Sequence, residues 1–234
     1  MDELIQGIPV PYTIRNDDFI TGLLYATVLI AIVAFAQSRD FIARELKLFF
    51  RDYRDDLLGH NETATEVRFQ FFLVFHTCLM LGLAGYLFIT HYITDSFTLS
   101  SEHTLIFLLF GCFAAYFIGK FLLQHLVGWV SFEPSENSRW QKSQLFLVAL
   151  EGLPLLPVVL LLCYYSMTFQ AALILCILVV IFIKILTFYR CYSVFFKKNR
   201  PQVQIFLYFC TLEIIPMVAF YGLMATLIDA IKTD

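Results

Sequence analysis

Apolar residues fill six long runs of the chain, and short segments that carry most of the charge separate them. About 20 apolar residues in a helix cross a hydrocarbon core roughly 30 Å thick, so each run is long enough for one crossing. A tight hairpin is expected between the fourth and fifth runs, where residues 164–167 interrupt the aliphatic pattern. The runs are residues 19–37, 69–92, 104–130, 144–165, 168–189 and 203–228. The pattern predicts an all-α polytopic membrane protein with six transmembrane helices in consecutive antiparallel hairpins.

Composition supports this fold class. The 234 residues are 59% hydrophobic and only 15% charged, which excludes an ordinary soluble domain. Six spans use about 120 residues and leave no room for a sizeable extramembrane domain. We predict an N-terminal segment 1–18 without the apolar core of a cleaved signal, hairpins 19–92, 104–165 and 168–228, and a C-terminal tail 229–234. With a net charge of −3 and no basic cluster, we expect the lipid bilayer as a partner and no nucleic acid.

The distribution of basic residues predicts the orientation. Lys and Arg are concentrated in the segments after the first, third and fifth runs, and are absent from those after the second and fourth. Because cytoplasmic loops are enriched in Lys and Arg, the three basic segments are predicted to be cytoplasmic. Both termini are then expected on the opposite side of the membrane.

The first basic segment, residues 38–58, has an amphipathic pattern. Apolar residues recur at helical spacing, and basic residues are available to flank them. This pattern predicts a cytoplasmic helix lying in the membrane interface. A helical continuation of the first span, or a surface that docks another protein, would give the same pattern. The residues singled out are Arg44, Lys47, Phe49, Arg51 and Arg54.

A short motif recurs in the second and third hairpins. Residues 150–154 read Leu-Glu-Gly-Leu-Pro and residues 212–216 read Leu-Glu-Ile-Ile-Pro. The preceding helix carries one lysine in each case, Lys120 and Lys184, at nearly the same distance from the motif. The two hairpins therefore form a predicted internal repeat of the same orientation. The first hairpin is a candidate third copy, with His76 where the others have glutamate.

Four charged side chains fall inside the predicted spans, all in the cytoplasmic half: Lys120, Glu151, Lys184 and Glu213. A charge within a span costs roughly 2.5–3.5 kcal/mol on insertion scales, so these groups need partners or water. We expect Lys120 to pair with Glu151 and Lys184 with Glu213, each within its own hairpin. His76 is a candidate fifth member of this polar layer. The layer either fixes helix register or lines a pocket for an ion, a proton or an anionic group.

Prolines follow both glutamates by one or two helical turns. Pro154, Pro157 and Pro216 each remove a backbone donor and free carbonyl groups in the preceding turn. We expect a helix kink at each of them.

Recognisable enzyme chemistry is scarce. The chain has no GxSxG, HExxH, phosphate-binding loop or GxGxxG motif, and its six cysteines show no metal-ligand spacing. We assign no catalytic, cofactor-binding or metal-binding residues and expect no cofactor. A membrane-embedded enzyme is therefore the least supported function class.

Residues 206–216, Phe-Leu-Tyr-Phe-Cys-Thr-Leu-Glu-Ile-Ile-Pro, resemble a segment of an uncharacterised family of Bacteroidetes integral membrane proteins. The resemblance extends over the whole chain in size and number of spans. It implies a Gram-negative inner membrane with both termini in the periplasm. The family is a domain of unknown function, so the resemblance assigns no residue a role.

Two function classes lead. The first is a noncatalytic inner-membrane subunit or scaffold of a larger membrane assembly, with protein partners or further copies of itself. The second is a small carrier for a proton, a cation or a lipid-like cationic or anionic group, using the intramembrane Glu and Lys residues; internal repeats are common in carriers.

Overall fold

The computed structural model describes residues 18–50, 64–93, 102–131, 133–165, 167–195 and 207–233. These ranges are helical except for residues 133, 165, 167 and 168, and they contain no strand. The first five helices are α1 (Asp18–Phe50), α2 (Ala64–Ile93), α3 (Glu102–Ser131), α4 (Pro134–Tyr164) and α5 (Phe169–Phe195). Residues 207–233 form the sixth helix, α6.

Each helix contains a stretch long and apolar enough to cross a membrane. The stretches are Asp18–Gln37, Arg68–His91, Thr104–Val130, Glu136–Tyr164, Phe169–Val194 and Leu207–Asp229. They confirm the predicted six spans. The tight turn between the fourth and fifth is also confirmed, since α4 ends at Tyr164 and α5 begins at Phe169.

Helix α6 contains an irregular turn that the sequence pattern did not predict. Residues Cys210–Ile214 form a π-helical turn, in which the Ile215 N–H bonds to the Cys210 carbonyl five residues back. The turn ends just before Pro216, whose ring in a regular α-helix would clash with the Leu212 carbonyl and whose missing N–H would leave that carbonyl unbonded. The chain continues as an α-helix over Ile215–Thr233. Helix α4, by contrast, runs as one α-helix through Pro154 and Pro157.

Contacts between helices define their relative directions. Lys120 and Lys184, in the last halves of the α3 and α5 spans, both reach Glu213 near the start of α6. The Thr77 hydroxyl of α2 lies 2.9 Å from the Val148 carbonyl of α4, and both lie in the first half of their spans. Gly82, in the second half of the α2 span, lies against Phe110, in the first half of the α3 span. Helices α2, α4 and α6 therefore run antiparallel to α3 and α5. We call the end where α2, α4 and α6 begin the inner end; it is the end that the basic residues predict to be cytoplasmic.

Helix α2 is the centre of the bundle and packs against α1, α3 and α4. Of its most apolar stretch, 56% is buried inside the chain, against 17% for α5 and 11% for α6. The main core cluster is built around Met80, Leu83 and Leu87 of α2. Leu105 and Leu109 of α3 complete it from one side. The outer faces of α5 and α6 are left for lipid or another protein.

Helices α2 and α4 approach closely at Gly152. A β-carbon at this position would lie 2.8 Å from the Thr77 Cα and 3.0 Å from the His76 Nδ1. Because real β-carbons essentially never lie within 3.0 Å of a non-bonded backbone atom, only glycine fits without moving α2. Small residues serve this purpose at helix crossings within membranes.

The first basic segment is helical as far as the structure describes it. Helix α1 runs without a break from the first span through to Phe50 and includes Arg44, Lys47 and Phe49. Arg51, Arg54 and the remainder of the predicted interfacial helix 38–58 lie outside the described residues. The uninterrupted helix favours continuation of the first span over a separate helix. Its placement in the membrane interface stays a prediction.

A candidate functional site within the membrane

Two lysines from different helices converge on one carboxylate oxygen. Lys120 Nζ of α3 lies 2.7 Å from Glu213 Oε2, and Lys184 Nζ of α5 lies 3.0 Å from the same atom. Gln124, one turn after Lys120, donates from Nε2 to Glu213 Oε1 at 2.9 Å. The Glu213 side chain is 1% exposed and that of Lys120 is 4% exposed, whereas that of Lys184 is 23% exposed. These groups tie three helices together at a single buried carboxylate.

This arrangement differs from the expected pairing in one respect. Lys184 bonds with Glu213, as the within-hairpin scheme predicted. The predicted pair between Lys120 and Glu151 does not form, because Lys120 bonds to Glu213 in the third hairpin instead. The physical reason is that Lys120 and Gln124 lie on one face of α3 at i and i+4, and that face meets the π-helical turn, so together they hold both carboxylate oxygens.

The π-helical turn determines how Glu213 meets the lysines. Such a turn adds one residue to a helical turn and so rotates everything before it relative to everything after it. Glu213 lies inside the turn, while Phe220 lies after it and packs against Tyr116, 4.7 Å between ring centroids. Both contacts are made with α3. The turn therefore lets α6 present both side chains to the same neighbour.

Glu151 is buried near the cluster without joining it directly. The residue is 5% exposed, and among the described residues its carboxylate has neither a hydrogen bond nor an ion-pair partner. It interacts electrostatically with Lys184, Lys120 and Glu213. With all groups ionised, the two lysines and Glu213 carry one net positive charge, and Glu151 balances it. The protonation state of Glu151 thus determines whether the four-residue cluster is neutral or positive.

His76 lies beside the turn of α4 that contains Glu151. Its side chain is fully buried, and within the described part of the chain neither ring nitrogen has a hydrogen-bond partner. It faces Gly152, the residue that follows Glu151. The structure thus joins three of the five predicted polar residues directly, couples Glu151 to them electrostatically and places His76 next to Glu151.

Glu151 and Glu213 have different environments, and the internal repeat stays a prediction.

Two glutamines that the sequence pattern did not single out lie at the site. Gln124 holds the second oxygen of Glu213, and the spacing Lys-x-x-x-Gln was the signal that could have indicated it. Gln144 of α4 is 3% exposed, and its Nε2 has no hydrogen-bond partner among the described residues. With Lys120, both glutamines line a cavity of about 440 Å³ between α2, α3 and α4. The remaining walls are apolar, with Phe75 on α2, Phe117 on α3 and Val148 on α4 among them.

The described residues contain no group of three or more His, Cys, Asp or Glu side chains placed to hold a metal ion. All six cysteines are free thiols. The ionisable and polar groups that the cluster offers to a ligand are its lysine amines, glutamate carboxylates and glutamine amides.

Comparison with known proteins identifies the family. No curated protein and no solved structure matches the chain significantly. One family model matches residues 20–224, from α1 to α6, and includes both lysines and both glutamates of the cluster. The chain therefore belongs to the family described as Domain of unknown function (DUF4271).

Proposed function

We propose that this protein is a small membrane carrier that binds a proton together with an anion at the buried Lys–Glu cluster. The observation that carries the proposal is the unequal pairing of the charges. Two lysines share Glu213, while Glu151 lies within their electrostatic influence and has no partner of its own among the described residues.

The charge balance suggests how a proton and an anion are coupled. When Glu151 is ionised, the cluster is neutral and has no net attraction for an anion. When Glu151 takes up a proton, the cluster becomes positive, and one bound monoanion restores neutrality. Since a net charge within a membrane is strongly unfavourable, the neutral empty state and the neutral loaded state are the two that can exchange between sides. Proton binding and anion binding then favour each other reciprocally.

The local backbone also supports a site that changes conformation. Glu213 lies in a π-helical turn, and such turns occur frequently at functional sites. Pro154 and Pro157 follow Glu151 within α4, where each removes a backbone hydrogen bond. Discontinuous helices at charged sites are a recurring feature of carriers, and the interrupted helix at this site is α6.

The direct test is proton movement in proteoliposomes that contain a trapped pH-sensitive dye. An outward pH gradient is imposed in chloride, nitrate or phosphate, with potassium and valinomycin present to hold the membrane potential near zero. We expect protein-dependent proton flux that varies with the anion and falls at least about tenfold in Glu151→Gln, which removes the proton-binding carboxylate. Asp18→Asn is the matched control, because Asp18 is an exposed carboxylate at the start of α1, outside the cluster. Equal flux through wild type and Glu151→Gln would refute the proposal.

A second candidate is a noncatalytic subunit of a larger membrane assembly. It is favoured by α5 and α6, whose apolar stretches are only 17% and 11% buried within the chain, leaving faces that another protein could cover. Purification from native membranes in a mild detergent, followed by mass spectrometry, tests it. A reproducible partner in stoichiometric amount supports this candidate, whereas a solitary chain argues against it.

A further inference from the structure

The cavity between α2, α3 and α4 has one polar end and one apolar end. Its polar groups are Lys120 and Gln124 on α3 and Gln144 on α4, toward the inner end. The lining then continues along α3 to Ala114 and Phe110, deeper in the span, with only apolar side chains. The cavity thus resembles the shape of an amphiphile, with a head at the inner end and a tail toward the middle of the membrane.

The polar end offers hydrogen-bond donors that are not fully used. Gln144 lines the cavity, and its buried Nε2 has no hydrogen-bond partner among the described residues. Lys120 Nζ carries three donors, one of which bonds to Glu213. A buried donor left without a partner is unfavourable by the free energy lost on removing it from water. An oxygen acceptor bound between these two groups would remove that cost, and a negative charge on it would complement the lysine.

The length of the cavity suits a long hydrocarbon chain. The lining residues on α3 run from Phe110 to Gln124, about 21 Å of helix at 1.5 Å per residue. The cavity volume is about 440 Å³. The volume itself lies within the range of about 300–1,000 Å³ that is typical of ligand pockets.

We propose that this cavity binds a long-chain carboxylate, with its head group between Lys120 and Gln144 and its chain along the apolar walls. The proposal deepens and rests on the proposed function, because the carboxylate is then the monoanion that accompanies the proton. A carboxylate suits the polar end better than a phosphate dianion, since the cluster gains only one positive charge when Glu151 is protonated.

Equilibrium binding of radiolabelled palmitate to the purified full-length protein in phosphatidylcholine nanodiscs tests the proposal. Hexadecanol, which has the same chain and no charge, is the comparison ligand. We expect palmitate to bind at least about tenfold more tightly, as the loss of a charge-assisted hydrogen bond of roughly 1.5–3 kcal/mol implies. Equal affinities for the two ligands would overturn the assignment of the head group.

Variants that leave the ion pairs intact locate the site. Ala114→Phe fills the apolar part of the cavity and should lower palmitate affinity at least about tenfold. Ala115→Phe is the matched control, because Ala115 is exposed on the same helix and does not line the cavity. Gln144→Leu removes the unpaired donor at similar volume and should weaken palmitate binding more than hexadecanol binding, because the bond to a charged carboxylate is stronger than the bond to a hydroxyl. Wild-type affinity in Ala114→Phe, or displacement of palmitate by phosphatidylglycerol at equal concentration, would overturn the proposal.

The carrier proposal and the carboxylate-binding proposal can be refuted independently of each other. If palmitate does not bind but wild-type proteoliposomes show Glu151-dependent proton flux, the carboxylate assignment falls and the carrier remains. If palmitate binds as described and no Glu151-dependent proton flux is found when palmitate is added to the proteoliposomes, the cavity is a lipid-binding site and the carrier proposal falls. Glu151→Gln should bind palmitate with little dependence on pH, because its cluster is permanently positive.

Discussion

Lys120 Nζ and Glu213 Oε2 lie 2.7 Å apart with both side chains almost fully buried, and the same carboxylate oxygen accepts a second bond from Lys184. Burying charge is costly, so each member of this trio depends on the others. The bond joins α3 to α6, which has little other buried surface. It therefore combines two roles, holding α6 against the bundle and supplying the positive charge that we propose attracts an anion.

Replacing Lys120 should destabilise the protein more than replacing Lys184. Lys120→Met should lower the unfolding free energy by about 3–5 kcal/mol, because it leaves the carboxylate of Glu213 short of a partner in a fully buried position. Lys184→Met should cost less, since its 23% exposed side chain contributes a weaker, partly solvated interaction. Thermal unfolding in detergent, followed by size-exclusion chromatography, measures both. A larger loss of stability in Lys184→Met than in Lys120→Met would contradict the assigned geometry.

Compensating substitutions test the three-way pairing. In Lys184→Met, Glu213→Leu, the buried Lys120 has lost its carboxylate, so stability should stay well below wild type. Adding Lys120→Met removes the stranded charge and should restore most of the loss, since buried ion pairs can be replaced by apolar groups at little cost. If the double variant were already as stable as the triple variant, Lys120 would not depend on Glu213.

Gly152→Ala should weaken the contact between α2 and α4. The added methyl group would lie 2.8 Å from the Thr77 Cα, so the backbone of α2 must move, at a cost of about 1–3 kcal/mol. Gly22→Ala is the matched control, because nothing lies within 4 Å of a β-carbon there and alanine favours the helix. Thermal unfolding of the two variants should shift in opposite directions, and a neutral Gly152→Ala would mean that the crossing is looser than described.

Pro216→Ala should reduce stability even though alanine is the better helix former by about 3 kcal/mol. Without the proline, α6 can close the π-helical turn, and Glu213 and Phe220 can then no longer both face α3. Pro157→Ala is the control, because Pro157 is exposed in a helix that has no π-helical turn around it, and this change should be neutral or stabilising. The melting temperatures of the two variants provide the comparison. A more stable Pro216→Ala protein would show that the turn is not needed for packing.

The orientation can be tested with reporters fused to the intact chain. A periplasmic reporter placed after Asp234 should be active, and a cytoplasmic reporter inserted after Lys198 should be active, because the basic segments are predicted to lie inside. The reversed result would place the inner end of the bundle on the periplasmic side. It would leave the cluster geometry unchanged and reverse the side from which the cavity is approached.

The polar layer shows how far local reasoning extends. Lys120, Glu151, Lys184 and Glu213 could be recognised from the sequence because a charge within an apolar run is conspicuous and costly. Their pairing could not be recognised, because it depends on which face of α3 meets α6. The sequence pattern did not single out Gln124 and Gln144. An uncharged amide near the end of a span costs little free energy unless the fold buries it.

The sequence by itself determined the six helices, their order and the positions of the charges, because the apolar length needed to cross a membrane is a local property of the chain. Tertiary structure alone decided that two lysines share Glu213 and that Glu151 is left without a partner among the described residues. It also placed Gln144 at the head of an apolar cavity. These relationships depend on the rotation of each helix about its axis, which is set by contacts such as Gly152 with Thr77 and by the turn before Pro216. Such contacts join residues far apart in the chain, and no periodicity within one helix records them.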